Sequence, residues 1–563
     1  MDDLFTYFKN INANHTFDEN EDIQSGRTDI TNTEATANMN LEINQPFTEY
    51  EIIKTVKNLK NNKSPGIDSI INEHMKTTIN VMAPIYVKLF NLIFDSGFVP
   101  DNWTLGNILP IYKNKGNINL AENYRPITLL SCLGKVFTAI LNDRITKYLD
   151  ENNIIDSCQA GFRKGFSTID NLFILQSLID IAKVNKTKLY CAFIDFKQAF
   201  DKVWRSGLWR KLLNNNVNGK CFRFITNMYS NIKSRIKTAE GASAFFPCQT
   251  GVRQGENLSP LLFSIYLNDL KSYLDDHNAP GVKCELNDEN ISVFFKLFIL
   301  LFADDTVLFG NSSDELQNTL SIFENYCNEW KLTVNVSKTK IVIFSGGRIP
   351  QDQKFQFGGE EVEIVSDYKY LGVILSRSGS FLKAKKYIAD QANMALFSLL
   401  RKIRTLNLPI DMQIDLFNKI IKPILLYGSE IWGFGNLDVI EKVQLKFFKQ
   451  ILNLKKSTPS TMVYGELGAY PLSIDIYTRV VAFWIKLNVK GINATALSVY
   501  NVIYGLNNQG KLNSKWLDNV KNLICTNGYS NIWYEHNVTN ISWFVKSFKQ
   551  KLKDEYIQNW SSL

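Results

Sequence analysis

The amino-acid sequence predicts an α+β fold, and three observations carry that prediction. Short apolar runs of strand character alternate with helically periodic stretches as far as about residue 380. Beyond that point the pattern turns helical and basic, as in KAKKYIADQANMALFSLLRKIR and VIEKVQLKFFKQIL. No internal repeat points to a solenoid. Strands interleaved with helices, followed by helices alone, describe an α+β core with a helical appendage. At 563 residues the chain exceeds one ordinary core, so several subdomains are expected.

Taken in order, residues 1–46 read as a flexible polar leader, since 12–45 are rich in Asn and Thr and poor in large apolar groups. Residues 47–104 read as a helical extension. Thr48 is placed to cap a helix carrying Ile52, Ile53, Val56 and Leu59, and more helix runs to about Phe94 after the loop KNNKSPGIDS. Strands at 105–113 and 124–130 flank the turn-rich NKGNINLAEN and form a hairpin. Helices follow from Leu133 to Leu149 and, capped by Ser167, through Leu172, Leu175, Leu178 and Ala182.

KLYCAFIDF (188–196) is a short apolar strand ending in Asp195, with Asp201 placed to cap the next helix. In GVRQGENLSPLLFSIYLNDL (251–270) a Gly-flanked loop leads into a helix with Ser259 as N-cap and Pro260 as first helical residue. ISVFFKLFILLFA (291–303) carries Lys296 and is too short to span a bilayer, so it reads as one or two buried strands. A helix at 312–330, strands at 338–344 and 368–375, helices over 380–455 and an Asn- and aromatic-rich stretch at 456–563 complete the chain.

Composition narrows the function. Hydrophobic residues at 45% and charged residues at 21% describe a soluble globular chain, and a net charge of +8 permits a nucleic-acid partner without demanding one. Eight scattered cysteines without C-x-x-C spacing, and four histidines, argue against a zinc site or a disulfide framework and for a reducing compartment. MDDLFTYFKN lacks the basic start and apolar core of a signal peptide.

One stretch carries chemistry. LLFADDTVLF (300–309) sets Asp304 and Asp305 between two apolar runs, where neighbouring carboxylates are costly unless paired or bound to a metal. A solvated hairpin tip is the plain alternative. If this strand pair and the strand ending in Asp195 share a sheet, the three carboxylates converge. Hard oxygen ligands suit Mg²⁺ or Mn²⁺, and two such ions roughly 3.5–4 Å apart can clamp both oxygens of an in-line phosphoryl transfer.

FADD between apolar strands resembles the central signature of reverse transcriptases. FIDFKQAFDKV (193–203), GVRQGENLSPLLFSIYLNDL, NVSKTKIVIF (335–344) and YKYLGVIL (368–375) resemble its companion blocks in the expected order. LPIYKNKGNINLAENYRPITLLSCLGKVF (109–137), QAGFRKGFSTIDNL (159–172) and LKNNKSPGIDSI (59–70) are similar to blocks of one branch, the non-LTR (LINE-type, jockey-like) retrotransposon polymerases. The resemblance spans about residues 47–455. It implies a right-hand polymerase: fingers and palm over 105–379, the palm an antiparallel sheet with packed helices, and a helical thumb over 380–455. It leaves 456–563 as a helical region without a readable role.

The resemblance also implies roles. Asp195, Asp304 and Asp305 hold two Mg²⁺ ions, with Mn²⁺ able to substitute; one ion activates the primer 3′-hydroxyl and the other holds the triphosphate. Phe200 lies beneath the incoming sugar and leaves no room for a 2′-hydroxyl. Lys113 and Arg125 reach the triphosphate, Gln254 meets nucleotide and template, and Lys338 or Lys340 serves the departing pyrophosphate. Tyr368, Tyr370 and Gly372 form the strand that grips the primer.

The implied partners are an RNA template, a DNA primer or nicked target DNA, and dNTPs, with no membrane. The implied setting is intracellular, nuclear or cytoplasmic, with nuclear action taken from the family alone. No room for an endonuclease precedes the resemblance, so the chain reads as a polymerase portion that needs a nick from another protein. The alternative is a catalytically silent remnant that only binds RNA or acts as a scaffold.

Overall fold

The computed structural model describes residues 2–13, 40–114, 116–287, 292–297, 299–345, 353–488 and 492–561. Two compact units interleave along the chain. The first comprises Met1–Phe162, Phe196–His277 and Phe323–Asn335; the second comprises Arg163–Asp195, Asn278–Ile322 and Val336–Leu563. The consecutive segments expected from sequence are therefore threaded through both units. Chain neighbours such as Asp195 and Phe196 fall on opposite sides of that division.

In the first unit, Leu105–Tyr112 pairs antiparallel with Tyr124–Leu129, as the hairpin reading expected, and parallel with Lys233–Thr238. Helices Asn72–Ser96, Cys132–Glu151 and Gly219–Ser230 pack an aromatic core. There Phe137 meets Phe224 at 4.3 Å and Phe47 at 4.6 Å between ring centroids. Such tilted contacts suit the ring quadrupoles and add to area burial.

Thr48 does cap Glu49–Lys57, through a capping box with Glu51. The Glu51 carboxylate also receives Arg144 Nε at 2.7 Å and Nη2 at 2.8 Å, which ties the start of that helix to Cys132–Glu151. Asn72–Ser96 is long and apolar enough by composition to cross a membrane. Its buried residues Met75, Ile79, Ala83, Phe90, Ile93 and Phe94 form the core side of this unit.

The second unit is built on a four-stranded antiparallel sheet in the order Lys340–Phe344, Leu189–Ile194, Asp305–Gly310, Ile299–Phe302. Every residue of the central strand Leu189–Ile194 is buried, which is why it reads as a continuous apolar run. Thr168–Val184 is buried along most of its length. The region after 456 supplies much of the cover: Phe173 lies 5.6 Å from Phe483 and 5.2 Å from Trp516, and Lys486 reaches the buried Asp170 carboxylate at 3.3 Å. The described residues of 456–561 are mostly helical, and helices among them serve this core.

Several local expectations change. Within the leader, Asp2–Asn12 is an amphipathic helix with acidic residues at its positive end; Phe8 is buried and Phe5 meets Phe246 at 5.6 Å. Residues 14–39 of the leader lie outside the described residues. Asp201 caps no helix, because the next one begins at Arg205. Ser259 is the first residue of its helix, and Leu258 takes the cap position.

The run 368–375 is a hairpin, Asp367–Tyr370 against Val373–Ser376. Its turn places Leu371 and Gly372 at φ 44° and 85°. The run 291–303 is two strands, Ser292–Leu297 and Ile299–Phe302, in different sheets.

Candidate active site

The second unit brings the three carboxylates to one end of its sheet. Leu189–Ile194 and Asp305–Gly310 run antiparallel with Thr306 opposite Ile194. The end of one strand therefore meets the start of the other, and Asp195 and Asp305 leave the sheet at the same edge. Phe302 pairs with Asp305, so Ala303 and Asp304 form a two-residue hairpin loop. Ala303 takes φ +59°, the positive φ that a tight hairpin wants at its first loop position. For a non-glycine residue this conformation costs of order 1–3 kcal/mol, and such strain gathers at functional sites.

Asp304 and Asp305 both reach solvent. Even so, the Asp305 carboxyl is pushed up to about 6, by burial first and then by the negative fields of Asp304 and Asp195. Among the described residues no group of three or more His, Cys, Asp or Glu side chains is close enough to chelate a metal unaided. The aspartates are neighbours rather than a finished cage. That fits Mg²⁺, which takes one or two carboxylates and completes its shell with phosphates and water. A cation here would relieve the repulsion that protonation of Asp305 otherwise relieves.

Of the two lysine candidates, Lys338 stands at this edge. It is exposed, with Nζ 3.9 Å from Asp195 Oδ2. Lys340 is tied elsewhere, donating to Glu363 Oε2 at 2.7 Å and to Ser337 O at 2.5 Å. Thr339 between them accepts from the Asp195 backbone N–H at 3.2 Å.

Tyr368 and Tyr370 also part ways. The Tyr368 ring stacks on Phe193 at 4.4 Å, and its hydroxyl is pushed up to about 12 by burial and by the fields of Asp305 and Asp195. Tyr370 is buried and accepts from Asn171 at 3.4 Å, so its side chain belongs to the core. Gly372 is required at its turn: a Cβ there would stand 2.8 Å from the Tyr427 ring, whose hydroxyl donates to Leu371 O at 2.7 Å.

The first unit holds the other candidates. Lys113 directly follows the first strand of the 105–129 hairpin and Arg125 lies on the second; both are exposed. Lys113 donates to Glu122 O at 2.6 Å, whereas Arg125 makes no hydrogen bond or ion pair among the described residues. Phe200 is half-buried, its ring stacked on Phe263 at 4.7 Å and edge-on to Phe162 at 6.3 Å. One ring face is thereby fixed by Phe263.

Gln254 donates from Nε2 to both Asp201 oxygens at 3.0 Å. Sequence reasoning cast Asp201 as a helix cap and missed this pairing. It also passed over Arg205 and Arg253, whose buried guanidiniums hold the surrounding backbone carbonyls. The string RQG flanked by glycines was the available signal for Arg253.

The 640 Å³ cleft of the second unit, lined by Asp180, Lys183, Lys385, Trp432 and Trp516 among others, contains none of these candidates. A groove of about 700 Å³ beside Lys369, Gly372, Tyr387, Met394 and Tyr427 contains one.

Residues 111–375 match the family described as reverse transcriptase (RNA-dependent DNA polymerase), a span that contains every candidate named above from Lys113 to Gly372. Three relatives from Drosophila melanogaster are similar over most of this chain. The probable RNA-directed DNA polymerase from transposon BS is 28% identical over 77% of this chain and 47% of its own length. That from transposon X-element is 27% identical over 78% and 48%, and the RNA-directed DNA polymerase from mobile element jockey 26% over 70% and 42%. The chain thus spans about half the length of the relatives it matches. A solved telomerase from Candida tropicalis aligns at 13% identity over 79% of this chain and 67% of that one, with a TM-score of 0.37, too low to bear on the fold.

Proposed function

We propose that this chain, whose residues 111–375 match the reverse transcriptase family and whose relatives include RNA-directed DNA polymerases of transposons and mobile elements, is an RNA-directed DNA polymerase of a non-LTR retrotransposon extending a DNA 3′ end on an RNA template. One observation carries the reading: Asp195 and the Asp304–Asp305 pair leave a buried antiparallel sheet at one edge, where burial first and then the fields of Asp304 and Asp195 raise the Asp305 carboxyl. That arrangement suits divalent cations that complete their shells with phosphates and water. In this reading the sheet Lys340–Phe344, Leu189–Ile194, Asp305–Gly310, Ile299–Phe302 is the palm, the 105–129 hairpin belongs to the fingers, and the helices from Leu382 form the thumb.

Asp195, Asp304 and Asp305 would hold two Mg²⁺ ions, which supply the charge that activates the primer hydroxyl and stabilises departing pyrophosphate. Lys338 adds a mobile positive charge at the same edge, and the fixed Lys340 does not. Tyr368 and the Leu371–Gly372 turn offer the primer a rigid surface. Arg125, with its guanidinium uncommitted, is suited to triphosphate oxygens. Phe200, braced by Phe263, leaves a 2′-hydroxyl no space to displace it. Exposed basic residues of Leu382–Leu406, among them Lys386, Arg401 and Lys402, suit contact with a phosphate backbone, an affinity that falls with salt. Cellular placement in this reading is intracellular, nuclear or cytoplasmic, with nuclear action taken from the family alone.

The deciding experiment is extension of a labelled oligo(dT) primer on poly(rA) with Mg²⁺ or Mn²⁺, beside Asp304→Asn. The expected result is dNTP-dependent elongation by the parent and none by the variant. Primer–template binding without elongation in either metal would overturn the reading and leave an RNA-binding remnant.

A further inference from the structure

The Asp201–Gln254 pair is built more firmly than a chance contact. Thr250 Oγ1 donates to Asp201 O at 3.2 Å, Gly251 N–H to Val203 O at 3.0 Å, and Val252 N–H to Phe200 O at 2.8 Å. These bonds fasten the loop carrying Gln254 to the segment carrying Asp201. Gly251 sits at φ +77°, and a Cβ there would lie 2.3 Å from Asp201 O, so the approach excludes any larger residue. On its other side, Gln254 O accepts from Thr128 N–H at 2.9 Å. Arg205 braces the loop from Gly251 O at 3.0 Å and Thr250 O at 3.1 Å.

An ionised carboxylate has no donor, so it can hold only the nitrogen end of a side-chain amide. Gln254 Nε2 meets both Asp201 oxygens at 3.0 Å, and Gln254 Oε1 makes no hydrogen bond among the described residues although the residue is partly exposed. We infer that Asp201 is a positioning residue: it fixes the Gln254 amide so that its carbonyl oxygen, and never its nitrogen, is offered to a hydrogen-bond donor of the bound nucleotide or template. Unclamped, the amide would offer donor and acceptor alternately, and binding would lose that selection. Asp201 touches no reacting atom in this scheme. The inference rests on the polymerase reading for the identity of the ligand.

The test is the affinity of dTTP for the full chain bound to a chain-terminated oligo(dT) primer on poly(rA). It needs no turnover and so separates this inference from catalysis. Asp201→Ala and Gln254→Glu should each weaken dTTP binding about tenfold, the scale of one lost hydrogen bond or one new repulsion. The swap Asp201→Asn with Gln254→Glu should recover affinity to within about threefold of the parent. In the swap the Asn nitrogen holds one Glu oxygen and leaves the other as the acceptor. A merely structural Asp201 predicts that Asp201→Asn alone, which keeps the contact but can hold either end of the amide, binds dTTP like the parent; the inference predicts a loss for it.

If Asp201→Ala fails to fold by circular dichroism, the comparison of Gln254→Glu with the swap still decides. A swap no better than Gln254→Glu, or an Asp201→Ala that folds and binds like the parent, overturns the inference. A parent that binds dTTP but adds none to an extendable primer fails the polymerase reading and leaves this test standing. A parent that binds no dTTP on any primer–template overturns both.

Discussion

Asp305 and Asp201 carry carboxyls pushed up to about 6, one in each unit, and they reach that value by different routes. Asp305 is raised by burial and then by two other carboxylates; nothing there opposes the rise. Asp201 is raised by burial alone, while the Gln254 amide and the positive field of Lys113 pull it back. The first is a carboxyl raised by burial and by two like-charged neighbours. The second is a satisfied single charge that orients its neighbour. The same shift thus accompanies a cluster of like charges, the proposed metal edge, in one unit and the proposed positioning pair in the other, and the causes tell them apart.

The largest expected effect breaks the comparison at its metal edge. Asp305→Asn should lower primer extension by about a thousandfold or more, because several kcal/mol of charge stabilisation at about 1.4 kcal/mol per tenfold is lost. Single-turnover extension at saturating dTTP measures it. A loss below tenfold would place Asp305 with Asp201 as a positioning group.

A middle-sized effect separates the two lysines. Lys338→Ala should slow extension about tenfold with little change in melting temperature, since Lys338 is exposed. Lys340→Ala should leave the rate nearly unchanged, because its partners are Glu363 and a backbone carbonyl. The reverse ranking would move the positive charge of the edge to Lys340.

The smallest effect is in stability against pH. An unfolded Asp titrates near about 3.9. A folded carboxyl raised to about 6 means that the native state binds more protons between those values. Stability from either residue is therefore full below about pH 4 and is lost as pH rises to about 6. Mg²⁺ should remove this slope for Asp305 and keep it for Asp201, whose neighbouring charged or titratable groups are Lys113, Tyr7 and Cys248. Melting temperatures in EDTA and in Mg²⁺ at pH 5 and 7.5, for the parent and for Asp201→Asn, measure both slopes. A Mg²⁺-insensitive parent would remove the distinction.

Read alone, the chain already specified its α+β class, the 105–129 hairpin, the Thr48 cap and the Asp304–Asp305 turn between apolar strands. Each of these follows from local signals: period, turn residues, a capping box, or a charged pair set between apolar runs. Folding back of the chain over long separations decided the rest. Asp201 looks like a helix cap by spacing and becomes the holder of Gln254 because a loop 50 residues on is fastened to it, an outcome that local propensity cannot encode. Lys338 and Lys340 are equivalent in sequence, yet one lies at the carboxylate edge and the other is bound by Glu363. Tyr368 and Tyr370 share one strand face by alternation, but a core partner for one and a half-buried stacking position for the other give them different surroundings. Residues 456–563 have no local motif, yet described helices among them cover Thr168–Val184. Local physics chose the elements and placed the charges; packing between distant segments chose which of those charges came to lie together.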